Sequence, residues 1–216
     1  FSIFLITQGI SMSRYHVPSS EGQYEKDSGE QVLANKLGIA ASDEMDEAEL
    51  VLLEQLYQSV FEEQFPEGQL SVAMLKSWHR RWLGNIYEWA GQERAVNISK
   101  GGFMFAPSAQ LPKLLNEFDT KYLAQYTPCR GIGEEQLITA IAITHVELIL
   151  IHPFREGNGR LSRLLAEVMA VQGGYRPLDY QSWEQNKTQY ISAIHAGVSM
   201  DYEPMKHWVR EALRRD

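Results

Sequence analysis

Two predicted helical segments meet at Ile151-His152-Pro153-Phe154-Arg155-Glu156-Gly157-Asn158-Gly159-Arg160-Leu161-Ser162-Arg163. The apolar segment before this stretch ends here, because proline lacks a backbone donor and restricts the residue that precedes it. The Gly-Asn-Gly triplet then leads into the second helix. A glycine-rich loop at a helix N-terminus favours anions, since the first N–H groups of the helix and its dipole both face the ligand. The stretch therefore predicts a phosphate-binding loop between two helices.

The side chains around this loop are those that phosphate chemistry requires. His152 is a candidate base, because an imidazole with an ordinary pKa of about 6.5 accepts a proton at neutral pH. Glu156 offers the hard oxygen ligand that Mg²⁺ prefers. Arg160 and Arg163 are three residues apart, so they share a helix face and are expected to hold the same polyphosphate. Each residue alone has a plainer explanation: a helix C-cap, an acid at a helix N-terminus or a solvated basic face. Their occurrence together favours the functional interpretation.

The stretch resembles the signature of the Fic (filamentation induced by cyclic AMP, or Fido) family, His-Pro-Phe-x-Asp/Glu-Gly-Asn-Gly-Arg-x-x-Arg, at every specified position. The similarity extends upstream through Trp89-Ala90-Gly91 and Ile98-Ser99-Lys100-Gly101-Gly102-Phe103. This resemblance implies a protein adenylyltransferase. Such an enzyme transfers AMP from ATP to a Ser, Thr or Tyr hydroxyl of a protein substrate, with Mg²⁺ as cofactor.

The resemblance also assigns roles to single residues. His152 and Asn158 are the implied catalytic residues, the first as general base and the second as a side chain that polarises the α-phosphate. Glu156 is the implied Mg²⁺ ligand. The implied nucleotide-binding residues are Glu156, Gly157, Asn158, Gly159, Arg160, Arg163, Gln189 and Tyr190. Gly197 replaces an asparagine found in some members near the base, so the base preference is left open.

Other activities remain alternatives at this point. The death-on-curing branch of the family lacks the acid at the position of Glu156 and transfers a phosphoryl group, so Glu156 favours nucleotidyl transfer. A Fic-fold enzyme that transfers another phosphate-containing moiety or removes AMP is the nearest alternative. A non-enzymatic interaction module is the alternative from a different class, and it has no need to keep a base and a metal ligand together.

Residues 93–105 are the least helical part of the chain. Val96, Ile98 and the Gly101-Gly102 pair predict a short β-hairpin. In the resembling family this position is a flap that holds the target segment by strand-like pairing, which here implies a target flap of Ile98, Ser99, Lys100 and Gly101. The alternative is an ordinary loop between two helices.

The rest of the chain predicts an all-α, Fic-type helical bundle. Residues 134–151 are apolar nearly all round, so this helix is expected to be buried and to deliver His152 to the site. Residues 1–66 are predicted to be an N-terminal extension with one long helix over 43–65, capped by Asp43. Residues 67–212 are predicted to form the catalytic domain. Shorter features are predicted as a helical turn over 31–37, helices over 111–126 and 183–198, and a Ser71 helix cap. His79 is predicted to be a surface or packing histidine, His145 a buried core histidine, and Phe154 a hydrophobic anchor of the loop.

Composition limits the partners and the location. The net charge is −8 and the pI about 5.3, which argues against broad binding to nucleic acid or to anionic membranes. No apolar run is long enough to span a bilayer. The single cysteine, Cys129, has no internal partner and suits a reducing cytoplasm. A homo-oligomer is left open.

Many members of the resembling family are restrained by a helix with the pattern Ser/Thr-x-x-x-Glu-Gly/Asn, whose glutamate pairs with the second signature arginine. No stretch of this chain matches the pattern. Val17 stands where Glu21-Gly22 would need Ser or Thr, Gln64 follows Glu63, and Pro204 follows Glu203. We therefore predict no built-in inhibitory helix, and any restraint would come from a separate small inhibitory protein.

Overall fold

Helices make up most of residues 22–213, the part of the chain that the computed structural model describes. The α-helices are α1 (Ser42–Gln58), α2 (Val72–Leu83), α3 (Leu111–Glu117), α4 (Ala124–Tyr126), α5 (Glu134–Ile151), α6 (Asn158–Gln172), α7 (Gln181–Gln185), α8 (Lys187–Ala196) and α9 (Glu203–Ala212). π-Helical turns span Ser59–Glu63 and Phe118–Leu123, and 3-10 turns span Ser108–Gln110 and Gly197–Ser199. Strands β1 (Ser99–Lys100) and β2 (Phe103–Met104) pair antiparallel between α2 and α3. The predicted all-α fold with one hairpin is confirmed.

The central helix is α5, with the bounds that its apolar run predicted. Its side chains are buried on every side, because α6 and α9 cover it most extensively and α3 and α8 add further contacts. A helix that must hide all its faces lies at the centre of a bundle. Between residues 22 and 213, no helix is both long and apolar enough to cross a membrane.

Helix α1 packs into the same core as the rest of the bundle. Leu53 and Leu56 of α1 belong to one buried cluster with Leu75 and Trp82 of α2. The apolar stripe of α1 therefore packs against residues that lie about twenty positions or more further along the chain. The division of the chain at residue 66 stays a prediction.

Side-chain capping is present at the start of α2 and absent at the start of α1. Ser71 caps α2 as predicted, since its hydroxyl accepts a hydrogen bond from the N–H of Met74 at 3.2 Å. The predicted Asp43 cap of α1 is wrong. That helix begins at Ser42 after Ala41, and no side chain caps it. Asp43 and Glu44 in its first turn still interact favourably with the helix dipole.

Two predicted helical segments differ from the structure, in both cases because an asparagine competes with the helix for backbone groups. Residues 31–37 form no helical turn. Asn35 Oδ1 instead accepts hydrogen bonds from the N–H groups of Leu37 and Ile39, which holds an irregular loop. The helix predicted over 183–198 is broken at Asn186, whose Nδ2 donates to the carbonyl of Ser182 at 2.9 Å and whose backbone leaves the helical region.

Candidate active site

His152 ends α5 in a left-handed conformation, with φ 50° and ψ 61°. Its imidazole is buried, and its Nδ1 lies 2.9 Å from the carbonyl oxygen of Ile149. A carbonyl only accepts, so the ring proton sits on Nδ1 and Nε2 is the basic nitrogen. Burial lowers the pKa of His152 to about 3, which keeps the imidazole neutral at pH 7. The arrangement is that of a proton acceptor with a defined tautomer.

The loop after His152 is held by its own side chains. Phe154 is buried, as predicted, and its ring stacks on that of His79 with centroids 4.0 Å apart. The buried Asn158 amide accepts from the N–H of Phe154 at 2.9 Å and donates to its carbonyl at 2.8 Å. In this structure Asn158 therefore closes the loop on itself. Its implied action on an α-phosphate stays a prediction.

His79 supports the loop from α2. Its Nε2–H donates to the carbonyl of Glu156 at 3.0 Å, while its Nδ1 accepts from the N–H of Gly91 at 2.8 Å. Of the two predicted roles, surface and packing, the buried His79 has the packing role, and it also positions the residue expected to hold the metal. Nothing in the spacing of α2 singles out His79, because its partners lie 12 and 77 residues away.

Glu156 and the glycine loop occupy the start of α6. The Glu156 carboxylate is half-buried, accepts from the N–H of Gly157 at 3.1 Å, and has a pKa raised by burial. A carboxylate that burial disfavours in its charged form gains most from a nearby cation. Asn158 and Gly159 form the first turn of α6, where N–H groups have no intrahelical acceptor. Within residues 22–213 no cluster of three metal-binding side chains occurs, so any metal here would rely on Glu156 with phosphate and water oxygens.

The two arginines of the loop have separate acidic partners. Arg160 pairs with Glu49 of α1 at 2.7 Å and lies over the ring of Trp82, 4.5 Å from its centre. Arg163 pairs with Glu184 of α7 at 3.1 Å and lies 4.8 Å above the ring of Tyr180. Both lie on α6, as predicted, but each pairs with an acid from a different helix, and their shared hold on one polyphosphate stays a prediction. Sequence reasoning missed both acids.

The buried Glu49 joins the N-terminal helix to the site. One carboxylate oxygen accepts from the hydroxyl of Tyr87 at 2.8 Å, while the other meets Arg160. The Glu49 carbonyl also accepts from the indole N–H of Trp82 at 2.8 Å. Its three partners span α2, the segment after it and α6, so α1 is part of the framework that orients Arg160.

Comparisons with known proteins agree with this geometry. A sequence profile described as the Fic/DOC family matches residues 69–170, which contain α2, the hairpin, α5 and nearly all of α6. The chain is 28% identical to the probable protein adenylyltransferase y4lH of Sinorhizobium fredii, over 86% of this chain and 93% of that protein. Residues 69–170 belong to the Fic/DOC family.

Two further Fic proteins extend the comparison. The protein adenylyltransferase VbhT of Bartonella schoenbuchensis is 32% identical over 56% of this chain, which spans only 25% of VbhT. A crystal structure of BepC from Bartonella tribocorum with bound AMPPNP superposes with a TM-score of 0.72 at 21% identity. It covers 91% of this chain and 98% of that one, and at this identity it shows the Fic fold alone.

The Fic hairpin is anchored to the site rather than projecting from it. Ile98, predicted as part of the target flap, is buried and packs with Val96 and Phe105. Ser99 and Lys100 pair with Met104 and Phe103, and the turn between the strands is made by Gly101 and Gly102 at positive φ. The predicted hairpin is confirmed, whereas the holding of a target by it stays a prediction.

Stacked rings fix both ends of this hairpin. The Phe105 ring lies on the imidazole of His152 with centroids 3.7 Å apart. The Phe103 ring lies on that of His195 in α8 at 4.3 Å. The hairpin thus bridges the end of α5 and the surface of α8.

The two residues implied to contact the base of the nucleotide lie in different environments. Tyr190 packs against α5 and α7, since its hydroxyl hydrogen-bonds to His145 Nε2 at 2.7 Å and its ring stacks on Trp183. Gln189 is exposed on α8. Gly197 packs against α5, where a Cβ would meet Val146 Cγ1 at 2.2 Å, so a larger residue does not fit without a shift. Base contact by Gln189 and Tyr190 stays a prediction.

The glutamates of the near-matches to the inhibitory pattern have partners other than Arg163, where the structure describes them. Glu63 accepts from the hydroxyl of Ser59, and Glu203 pairs with Lys206. Glu21 lies outside the described residues. The acid on Arg163 is Glu184, which follows no Ser/Thr-x-x-x-Glu-Gly/Asn pattern.

We expect the fold to lose stability in mild acid. Burial lowers the pKa values of His79, His145 and His152 to about 4, 3 and 3, against about 6.5 in an unfolded chain. The unfolded state therefore binds more protons below about pH 6.5, and stability that is fully present above this pH is lost as the pH falls. Each histidine contributes a slope of about 1.4 kcal/mol per pH unit.

Buried carboxyls oppose this trend in part. Burial raises the pKa of Glu167 to about 8, so this group holds a proton in the folded state at neutral pH, and burial also raises the pKa values of Glu147 and Glu156. We expect a net loss of about 1–3 kcal/mol per pH unit between pH 6.5 and 5. Urea denaturation at pH 7, 6 and 5 measures it, and an unfolding free energy that stays constant or rises toward pH 5 would show that the histidines are not buried as neutral groups.

Proposed function

We propose that this chain is a protein adenylyltransferase that transfers AMP from ATP to a hydroxyl side chain of a protein. The observation that carries the proposal is the single tautomer of His152, which leaves Nε2 as the basic nitrogen in the residue that opens the loop to the N-terminus of α6, where anions are favoured. Glu156, Arg160 and Arg163 lie within one turn and a half of that N-terminus. The relatives named as protein adenylyltransferases support the same activity.

The reaction follows from these positions. His152 Nε2 accepts the proton of the target hydroxyl as its oxygen attacks the α-phosphorus of ATP. The bond from the α-phosphorus to the bridging oxygen breaks, and pyrophosphate leaves with that oxygen. The products are an AMP phosphodiester on the protein and pyrophosphate, and His152 returns its proton to solvent or product. Arg160 and Arg163 offset the negative charge of the phosphates.

Mg²⁺ fits the residues present, and we propose Glu156 as its protein ligand. Mg²⁺ commonly uses one or two carboxylates together with substrate phosphates and water. When bound, it would neutralise charge on the departing pyrophosphate. Glu156 holds its position through His79 and the N–H of Gly157, which directs the carboxylate toward the start of α6.

A cytoplasmic location and control by a separate small inhibitory protein belong to the same proposal. The first is supported by the single, buried Cys129, which makes no internal disulfide. The second is supported by the partners of Glu63 and Glu203, which are Ser59 and Lys206, whereas Arg163 pairs with Glu184.

Labelled ATP distinguishes the proposed reaction from phosphoryl transfer. With Mg²⁺ and a cell lysate, we expect addition of this chain to increase protein labelling from α-labelled ATP but not from γ-labelled ATP, each compared with the lysate alone, with mass spectrometry showing an added AMP. Transfer of label from the γ position would replace the proposal with phosphoryl transfer. Absence of label from both would remove the activity.

Glu156→Ala tests the metal ligand. We expect this variant to lose AMP transfer and to bind ATP equally with Mg²⁺ and with EDTA, whereas the native chain binds more tightly with Mg²⁺. The exposed Glu62→Ala is a matched control that keeps the native response. If native ATP binding and transfer are unchanged in excess EDTA, Glu156 has no metal role.

A further inference from the structure

The C-terminal carbonyls of α5 reveal how the site is assembled. The last four carbonyls of a helix lack partners from within the helix body and must find them elsewhere. Here the N–H and Nδ1 of His152 serve the carbonyls of Leu148 and Ile149. The carbonyl of Leu150 accepts from the N–H of Ala106 at 3.2 Å, and that of Ile151 from Arg94 at 3.3 Å. The end of the central helix is therefore capped by His152 itself and by the hairpin segment.

Arg94 makes most of the remaining connections. Its Nε donates to the carbonyl of His152 at 2.7 Å, and its backbone N–H donates to the carbonyl of Pro153 at 2.9 Å. Its other nitrogens donate to the carbonyls of Val96 and Ala106, each at 2.6 Å. The guanidinium of Arg94 thus links the carbonyls before and after the hairpin to the carbonyls on either side of the Cα of His152.

Burial and charge explain why an arginine occupies this position. Arg94 is 5% exposed, and its five N–H donors in a planar fork suit several carbonyls at once. The acceptors include the C-terminal end of α5, where the helix dipole favours a cation. A lysine offers three donors from one atom and cannot reach carbonyls on opposite sides in the same way.

The conformation of His152 also needs an external restraint. A left-handed backbone is uncommon for a residue other than glycine and persists where surrounding contacts over-determine it. Arg94 holds the carbonyl on each side of the His152 Cα, and Phe105 lies on the ring. Without Arg94, the cap of α5 and the direction of the imidazole lose their shared support.

We infer that Arg94 is a positioning residue for AMP transfer, which fastens the hairpin and His152 into one unit so that Nε2 keeps a fixed place beside the hairpin edge. The inference rests on the proposed function. Arg94 does not contact the reacting atoms and acts through His152. A residue that served stability alone would lower the unfolding temperature and leave the activity of the folded protein unchanged.

The test compares Arg94→Met, Arg94→Lys and the native chain. Arg210→Met is the matched control, since Arg210 is exposed on α9 and pairs with Glu135. For Arg94→Met we expect kcat to fall about 100-fold while the Kd for ATP stays within about threefold, because a small displacement of a catalytic group costs this much. Arg94→Lys keeps the charge and should recover about a tenth of native kcat.

A second readout does not depend on transfer. Two-bond ¹H–¹⁵N correlations of labelled His152 should show the proton on Nδ1 in the native chain and a mixture of tautomers in Arg94→Met. Hydrogen exchange at the N–H of Ala106 should quicken in the same variant. These measurements still decide the inference if the native chain transfers no AMP, in which case only the proposed function fails.

Several results would overturn the inference. A folded Arg94→Met variant with native kcat and a native His152 spectrum would do so, as would an ATP Kd that weakens as much as kcat falls. If Arg94→Met does not fold, Arg94→Lys decides alone: a tenfold loss of kcat with native Kd supports the inference, and native kcat overturns it.

Discussion

Replacing His152 with alanine is expected to lower AMP transfer by about 10²–10⁴-fold, with the affinity for ATP within about threefold of native. The reason is that the loss removes Nε2, the proton acceptor, while the loop and its arginines hold the nucleotide without contacting the imidazole. The Nδ1 bond to Ile149 is also lost, which costs about 1 kcal/mol of stability. Circular dichroism and ATP titration should accompany the rate measurements.

His207→Ala is the control, because His207 is an exposed histidine on α9. It should retain native turnover. The native pH profile offers an independent check, since burial lowers the pKa of His152 and a neutral base stays active as the pH falls. The acid limb of kcat/KM should therefore lie below about pH 6.5. A folded His152→Ala protein with near-native turnover would mean that another group takes the proton.

The second large effect is expected for Gly157→Ala. Gly157 has φ 82°, and an added Cβ would lie 2.7 Å from Trp82 Cζ3 and 3.3 Å from Leu83 Cδ1. The left-handed backbone costs about 1–2 kcal/mol for alanine, and overpacking adds about 1–3 kcal/mol. Trp82 also lies under Arg160, so a shift of its ring moves a side chain that we propose to bind phosphate. We expect a loss of about 2–5 kcal/mol of stability and at least about 100-fold in transfer.

Gly159→Ala is the steric control within the same loop. No atom lies within 4 Å of its added Cβ, and its φ is not in the left-handed region. Alanine in the first turn of α6 should leave the unfolding free energy unchanged or raise it by about 0.5–1 kcal/mol. Equal unfolding free energies for the two variants would contradict the packing of Gly157 against Trp82.

The central helix and the loop were predictable because their signals are local. The apolar run of α5 identifies a buried helix at any position in a bundle, and its predicted bounds agree with the structure. The Gly101-Gly102 pair likewise marks a turn whose positive φ values the structure shows. By contrast, the helix predicted over 183–198 is broken at Asn186. A side-chain hydrogen bond from Asn186 to the carbonyl of Ser182 outweighs the local preference for helix there.

By itself, the sequence determined which chemical groups surround the phosphate loop, since His152, Glu156 and the two arginines are brought together by a single turn between helices. Only the tertiary structure decided what holds those groups in place. Glu49 reaches Arg160, Glu184 reaches Arg163, and Arg94 reaches His152 across 58 residues. The physical reason is that a hydrogen bond or ion pair depends on distance in space. Partners far apart in the chain share no periodicity or spacing, so only the packing of α1, α7 and the hairpin around α5 and α6 brings them into contact.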